Sequence, residues 1–547
     1  MNQESWKAVT PQYTEFDDVI SNFESLPEVN FLDIQPRLKQ ALSTVAVTQG
    51  FNRILIVNSP DNAFYRTSIQ RCLSKLVDKP VLSTESINMG DLLGTYSCNE
   101  TGEITGETQG LIEKANDGFL IISANTLLAN PSSWPIFKSI FLGQAFSPVS
   151  VTPKHIASQI PVHSWSLKLI VVGNRDQIAD LDFLDGDLYR GIANYTEIEH
   201  DIAVTEQSIK QYLGYLSSLV KEFDLPSLSF EAIHRLMVAG ARYSEDQRYM
   251  PIEPLWYLSI FQEARLNTNG DIIDEMAIDK ALEAKYQRES YLPERALSDI
   301  LDGQVIIETQ GECIGQVNGL TVIDVSGHPL SYGEPARISC VIHFGDGDIS
   351  DVERKAELGG NLHAKGMMIM QAFVSSALKL EEPLPYSASV VFEQSYCEVD
   401  GDSATLAELC SFVSALSEYP INQQIAVTGA VDQFGRVQAV GGLNEKIEGF
   451  YRVCKHQGFT GKQGVIIPKT NLKHLALNKE VVASIKSNEF HIWSVETVDE
   501  TIPIIMGKPF RGDDESSVIH KIAQRIETYE KHEHPLGIVE RIKNWFV

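Results

Sequence analysis

RILIVNSPDNAFYRTSIQRCLSKLV (residues 53–77) opens on a short, apolar, β-branched run and passes through a turn at SPDN into a helical run. Two later stretches repeat this pattern. DGFLIISANTLL (117–128) reads as a second buried strand entering a helix, and SLKLIVVGN (166–174) as a third. Strands covered on both faces are near-continuously apolar, so their alternation with helices predicts a parallel sheet packed on both sides. An α/β domain is therefore expected over 46–200. Ahead of it, an N-terminal segment of 1–45 ends in the helical run IQPRLKQALSTVAV.

From 201 to 300 the pattern turns helical, with SIKQYLGYLSSLVKEF, SFEAIHRLMVAGARYSED, EPLWYLSIFQEARL and IDKALEAKYQRES in succession. After 300 it changes again. The strands ARISCVIHF, ASVVFEQS, QQIAVTGAV, QGVIIP and EFHIWSV are interleaved with helices, which predicts an α+β domain over 301–507. Within it, VDQFGR reads as a hairpin turn between IAVTGAV and RVQAVGG. Residues 508–547 form a charged tail with a helix expected from about 515 to 530. It closes on IKNWFV, which is expected to pack on the body or anchor an interface.

The 547 residues are 43% hydrophobic and 22% charged, which argues against a disordered, collagen-like or coiled-coil chain. A net charge of −28 disfavours broad coating of nucleic acid, whose phosphates it repels. Seven scattered cysteines without a C-x-x-C pair suggest reduced thiols in a cytosolic protein. MNQESWKAVTPQYTEFDD lacks the basic start and apolar run of a secretory signal, and the longest apolar stretches are too short to span a bilayer. A soluble, cytoplasmic protein with no nucleic-acid or membrane partner is the expectation. H-E-x-x-H, paired Cys/His spacings and G-x-S-x-G are absent, so neither a metal site nor an α/β-hydrolase elbow is expected.

The strongest chemical signal is EVDGDSATLAELCSFVSAL (398–416). Leu406, Leu409, Cys410, Val413 and Leu416 recur at helical spacing, which puts Ser403 at the first turn of a helix. Backbone N–H groups there point outward and favour negative charge, which suits a serine whose tetrahedral intermediate carries an oxyanion. The competing reading makes Asp402 or Ser403 an ordinary N-cap. A second signal is AVGGLNEKIEGFYRVCKHQG (439–458), where Lys446 lies along the apolar stripe of Leu443, Ile447, Phe450, Tyr451 and Cys454. Burial there would depress its pKa and free a neutral amine as a general base. The competing reading lets the lysine snorkel to water.

The pair GDSA…GGLNEK resembles the Ser–Lys proteolytic domain of the Lon protease family. The resemblance covers about 305–507 and includes IGQVNGL (314–320), GEPARISC (333–340), FEQSYCEVDGDSA (392–404), VTGAVDQFGRVQAVGGLNEKIEGF (427–450) and GVIIP (464–468). The form FEQSYxxVDGDSA is closer to the archaeal membrane-anchored branch than to the bacterial one. The whole chain resembles Lon-related proteins of gamma-proteobacteria that lack a membrane segment. The resemblance implies a serine endopeptidase with a dyad of Ser403 and Lys446, 43 positions apart. It implies supporting roles for Asp402, beside the serine, and Thr428, close to the lysine. It also implies protein or peptide substrates and a homohexameric ring.

The first half resembles an AAA+ module, with 201–300 as its helical lid, but departs from it where ATP chemistry sits. A P-loop needs G-x-x-x-x-G-K-S/T to cradle phosphates. SPDNAFYRTSI has no such glycines and no lysine, and Arg66-Thr67 only mimics the Lys-Thr pair. Ser123 and Ala124 stand where Walker B acids would hold magnesium. Asn174 matches a sensor-one position, Arg242 falls near a sensor-two arginine, and Arg190 near an arginine finger. ATP and magnesium are therefore disfavoured, and peptide hydrolysis is expected to need no cofactor. Two functions stay open: a Lon-like peptidase, favoured by the intact dyad, and a non-proteolytic pseudo-ATPase scaffold or client-recognition platform, favoured by the lost Walker residues.

Overall fold

The apolar run at 54–58 forms β1 (Ile54–Asn58), with its first four residues fully buried. It joins β2 (Val81–Thr84), β3 (Phe119–Ser123), β4 (Lys168–Gly173) and β5 (Ala193–Glu197) in one parallel sheet, ordered β2-β3-β4-β1-β5. Side chains alternate across a strand. Ile54, Ile56, Leu120, Ile122, Leu169 and Val171 therefore enter one core, and Leu55, Val57, Phe119, Ile121, Ile170 and Val172 the other. The second core is covered by Leu38, Leu42 and Val45 of α1 (Pro36–Val47) and by Tyr65, Ile69 and Leu73 of α2 (Ala63–Leu76). The first is covered by Leu127 of α3 (Ala124–Ala129) and by Ile178 and Leu181 of α4 (Arg175–Leu184).

This computed structural model describes residues 2–50, 53–152, 154–155, 157–268, 270–379, 384–395, 400–512 and 515–533. The chain divides into two compact units, Asp18–Ser227 with Ile252–Leu258, and Met1–Asp17 with Leu228–Pro251 and Ser259–Val547. All four helical runs read between 200 and 290 are present, as α5 (Ser208–Glu222), α6 (Phe230–Tyr243), α7 (Pro254–Leu266) and α8 (Glu275–Glu289), followed by α9 (Tyr291–Leu301). Helix α5 lies in the first unit, α6 and α8 in the second.

The second unit carries the strands β6 (Gln316–Ile323), β7 (Tyr332–Phe344), β8 (Ile349–Asp351), β9 (Tyr386–Glu393), β10 (Ile425–Val427), β11 (Ala430–Val431), β12 (Val437–Gln438), β13 (Gln463–Pro468) and β14 (Phe490–Val495). Seven of them form a mixed sheet ordered β8-β9-β7-β6-β10-β13-β14, antiparallel where β7 meets β6 and β9 and parallel elsewhere. β11 and β12 are the hairpin read at VDQFGR.

The two faces of this sheet bury different helices. Ile425, Val427 and Ile466 pack with Met370 and Phe373 of α10 (Asn361–Leu378) and with Leu406, Leu409 and Val413 of α11 (Thr405–Ser417). Ala426, Val465 and Ile467 point the other way, against Leu443, Ile447 and Phe450 of α12 (Leu443–Gln457). The helices that follow the serine and carry the lysine thus lie on opposite faces. The tail helix is α13 (Val518–Glu533), whose Val518, Ile522 and Ile526 join the α11 core. The terminal IKNWFV lies outside the described residues. Among these, no helix is long and apolar enough to cross a membrane.

Candidate active site

The segment before α11 differs from the expected first helical turn. Thr405 donates to the Asp402 carbonyl through its N–H at 3.1 Å and its hydroxyl at 2.6 Å, closing a tight turn that delays the helix to Thr405. Ala404 is the cap residue and makes no side-chain cap bond, so neither Asp402 nor Ser403 is an N-cap. The turn is tied to the strand end after β10. Gly429 N–H donates to the Ser403 carbonyl at 2.8 Å, and Leu406 N–H to the Gly429 carbonyl at 3.0 Å. Thr428, fully buried, adds its hydroxyl to the Ser403 carbonyl at 3.3 Å. This hydroxyl therefore bonds to the serine's backbone.

Lys446 comes from the other face of the sheet. Gly442 adopts a left-handed φ of 63° and starts α12, as glycine does at low cost. The helix then lies directly on β7, where Gly333 and Gly449 touch: a Cβ on Gly449 would stand 2.1 Å from the Gly333 carbonyl oxygen. Lys446 on this helix is only 1% exposed, and its Nζ donates to Ser403 Oγ at 3.0 Å. Burial lowers the Lys446 pKa from 10.5 to about 8, while the exposed Asp402 carboxylate works against this by favouring the charged form. The serine and lysine singled out in the sequence are thus brought together, with Asp402 and Thr428 beside them.

Residues 391–508 match the Lon protease C-terminal proteolytic domain, and residues 78–192 a LonB-like AAA domain. A Lon protease homolog of Escherichia coli is 37% identical over 99% of this chain and 99% of its own. The chain belongs to the Lon protease family. A Lon protease homolog of Haemophilus influenzae is 43% identical over 76% of this chain and 69% of its own. An archaeal Lon protease of Methanocaldococcus jannaschii is 34% identical over 27% of this chain and 22% of its own. The α/β unit with its parallel sheet is the AAA-like part of this Lon-family chain, and the mixed sheet belongs to its proteolytic part.

Several positions that carry ATP chemistry in the resemblance are bonded to other side chains of this Lon-family chain. Arg66, buried on α2, is ion-paired to Asp61 and Glu85, with Nε at 3.0 Å from Glu85 Oε1. Ser123 donates to the second Asp61 oxygen at 2.6 Å and also caps α3. Ala124 is fully buried, and Thr67 is exposed. Asn174 caps α4 in a capping box with Gln177, and Arg190 is exposed and pairs with Asp187 at 3.4 Å. Arg242, read near a sensor-two arginine, is held by two carboxylates. Its guanidinium binds Glu448 and Glu445 of α12, on either side of Lys446, because these carboxylates point at α6.

Sequence reasoning missed those two glutamates and a second buried cluster. His363 of α10 lies 3.2 Å from Asp351 and 3.5 Å from Glu408 of α11, whose pKa burial pushes up to about 7. The only signal was an acid inside the otherwise apolar α11 run. Nothing local names its histidine partner.

Proposed function

We propose that the protein is a Lon-type serine peptidase with Ser403 as nucleophile and Lys446 as general base. The observation that carries this reading is the buried Lys446 Nζ at 3.0 Å from Ser403 Oγ. Once Lys446 is neutral, the hydrogen bond reverses and its lone pair takes the hydroxyl proton as Oγ attacks a peptide carbonyl. The backbone N–H groups of Ser403 and Ala404, ahead of α11, are the donors for the oxyanion; neither has an acceptor among the described residues. Collapse of the intermediate expels the amine, which takes the proton back from Lys446 and leaves an acyl-serine. Water, deprotonated by the now neutral Lys446, then attacks the acyl carbon, and Lys446 returns the proton to Ser403 Oγ as the acid leaves. Asp402 tunes the lysine's charge, and Thr428 holds the serine's backbone.

ATP hydrolysis is absent in this reading. A nucleotide phosphate needs lysine and glycine N–H groups, yet the loop before α2 offers the Asp61 carboxylate, already bound to Arg66 and Ser123. Magnesium needs carboxylates where Ser123 and Ala124 stand. These residues do not fit a magnesium nucleotide, so no step passes through one. Without that energy source the substrates are peptides, unfolded chains and flexible termini. A cytoplasmic homohexamer enclosing the Ser403 sites would keep folded proteins out, and a net charge of −28 supports the absence of a nucleic-acid partner.

The self-paired nucleotide position also favours a second reading, a non-proteolytic client-binding platform. Peptide and casein hydrolysis by the wild type and Ser403→Ala, with and without ATP and magnesium, separates the two. Hydrolysis lost in Ser403→Ala and indifferent to ATP supports the peptidase. Equal rates in both proteins refute it.

A further inference from the structure

We propose that Arg242 is a positioning residue for Lys446, acting from α6 through Glu445 and Glu448 of α12. The inference rests on the Ser403–Lys446 reading.

Residues three apart on a helix share a side, so Glu445 and Glu448 face the same way, turned from the stripe that presents Lys446. Both are largely enclosed, with side chains 22% and 8% exposed. Two carboxylates held close together away from water are unfavourable without a cation that also satisfies their hydrogen bonds. Arg242 is that cation. Its Nη1 donates to Glu448 Oε1 at 2.5 Å and its Nη2 to Glu448 Oε2 at 2.9 Å, a planar two-point grip, while Nη2 also reaches Glu445 Oε1 at 3.1 Å. A lysine at 242 could not reproduce this fork. On the same helix, Asn444 accepts from Ala476 N–H at 2.8 Å and donates to the His474 carbonyl at 3.0 Å, and Asn478 N–H donates to Glu448 Oε1 at 2.9 Å.

These ties surround Lys446 in sequence and oppose rotation of α12 about its axis. A lysine nitrogen sits roughly 8 Å from its helix axis, so a ten-degree turn would carry it about 1.5 Å. A misplacement of about 1 Å at a reacting group costs on the order of a hundredfold in rate. The Gly333–Gly449 contact fixes how close α12 lies to β7, and the Arg242 fork fixes its rotation. Nothing in this arrangement touches substrate, so its loss should lower turnover and leave substrate binding alone.

The test compares Arg242→Gln, Arg242→Lys, Glu448→Gln and the double variant Arg242→Gln/Glu448→Gln in the full chain. The readouts are kcat and KM on a fluorogenic peptide, the rate of Ser403 labelling by a fluorophosphonate, and far-ultraviolet circular dichroism. Arg242→Gln and Glu448→Gln should each lower kcat and labelling ten- to a hundredfold, with KM within threefold and the spectrum unchanged. Arg242→Lys should recover only part of the loss, and the double variant should be no worse than the worse single one. If Arg242→Gln fails to fold, Glu445→Ala, which removes only the 3.1 Å bond, should still lower kcat two- to fivefold. A kcat within twofold of wild type in Arg242→Gln, a loss residing in KM, or strictly additive losses would overturn the inference. Ser403→Ala run alongside keeps the two ideas apart. An active Ser403→Ala overturns the peptidase reading, whereas an inactive one beside an unaffected Arg242→Gln overturns only this inference.

Discussion

Replacing Lys446 with methionine should abolish peptide hydrolysis and leave the protein more stable at neutral pH. The side chain is buried, and its pKa falls from 10.5 to about 8. That difference corresponds to about 3 kcal/mol of cost for holding the charged amine in the fold. The folded state binds fewer protons than the unfolded chain between the two values. The cost is therefore fully present below about pH 8, shrinks as pH rises, and is gone above 10.5. Methionine removes it together with the bond to Ser403 Oγ, which contributes about 1 kcal/mol. The expected gain is about 2 kcal/mol at pH 7, nearly vanishing by pH 9.5. Urea denaturation at the two pH values measures it. The same pKa sets the wild-type rate profile. About a tenth of Lys446 is neutral at pH 7, so kcat/KM should rise nearly tenfold from pH 6 to 7 and less than twofold from pH 8 to 9. A variant less stable than wild type at pH 7, or a wild-type profile flat from pH 6 to 9.5, would refute a buried neutral base.

Asp402→Asn removes the charge that holds Lys446 protonated, so the rising limb of the rate profile should move to lower pH; a limb that moves upward contradicts the assignment. Because Asp402 is exposed, the displacement should shrink in high salt. Thr428→Val deletes the hydroxyl bond to the Ser403 carbonyl and should cost about 1 kcal/mol in kcat, roughly fivefold, with KM unchanged. Arg66→Gln leaves the buried Asp61 carboxylate without its cation and should destabilise the α/β unit by about 3 kcal/mol, read as a lower urea midpoint, while creating no ATP turnover.

Much of the fold was legible because its signals are local. The 54–58, 119–123 and 168–173 strands are apolar on both faces because both faces are covered, and composition alone carries that information. Lys446 was legible because it interrupts an apolar stripe. The direction of its pKa, argued from that stripe, is the one burial produces. The turn at 402–404 was not, since Thr405 bonding back to Asp402 displaces the helix start by a geometry no spacing encodes. Arg242 was placed by its resemblance to a nucleotide sensor, yet its partners lie more than 200 positions later. Asn174 follows an apolar strand as read, and its side chain caps the helix after it, a role that the spacing alone did not name. Long-range charge pairing leaves no periodic trace.

The placement of α11 and α12 on opposite faces of one sheet has a consequence for the life of the chain during synthesis. Residues up to 417 complete α11, whereas the apolar face on which α12 packs includes Val465, Ile467, Phe490 and Ile492 of the last two strands. Until those strands emerge and dock, α12 lacks the apolar face that seats it, and a hydrated lysine stays charged. On the proposed reading, a nascent or C-terminally truncated chain therefore holds the serine without a seated lysine, and the pair assembles only with the last strands of the sheet.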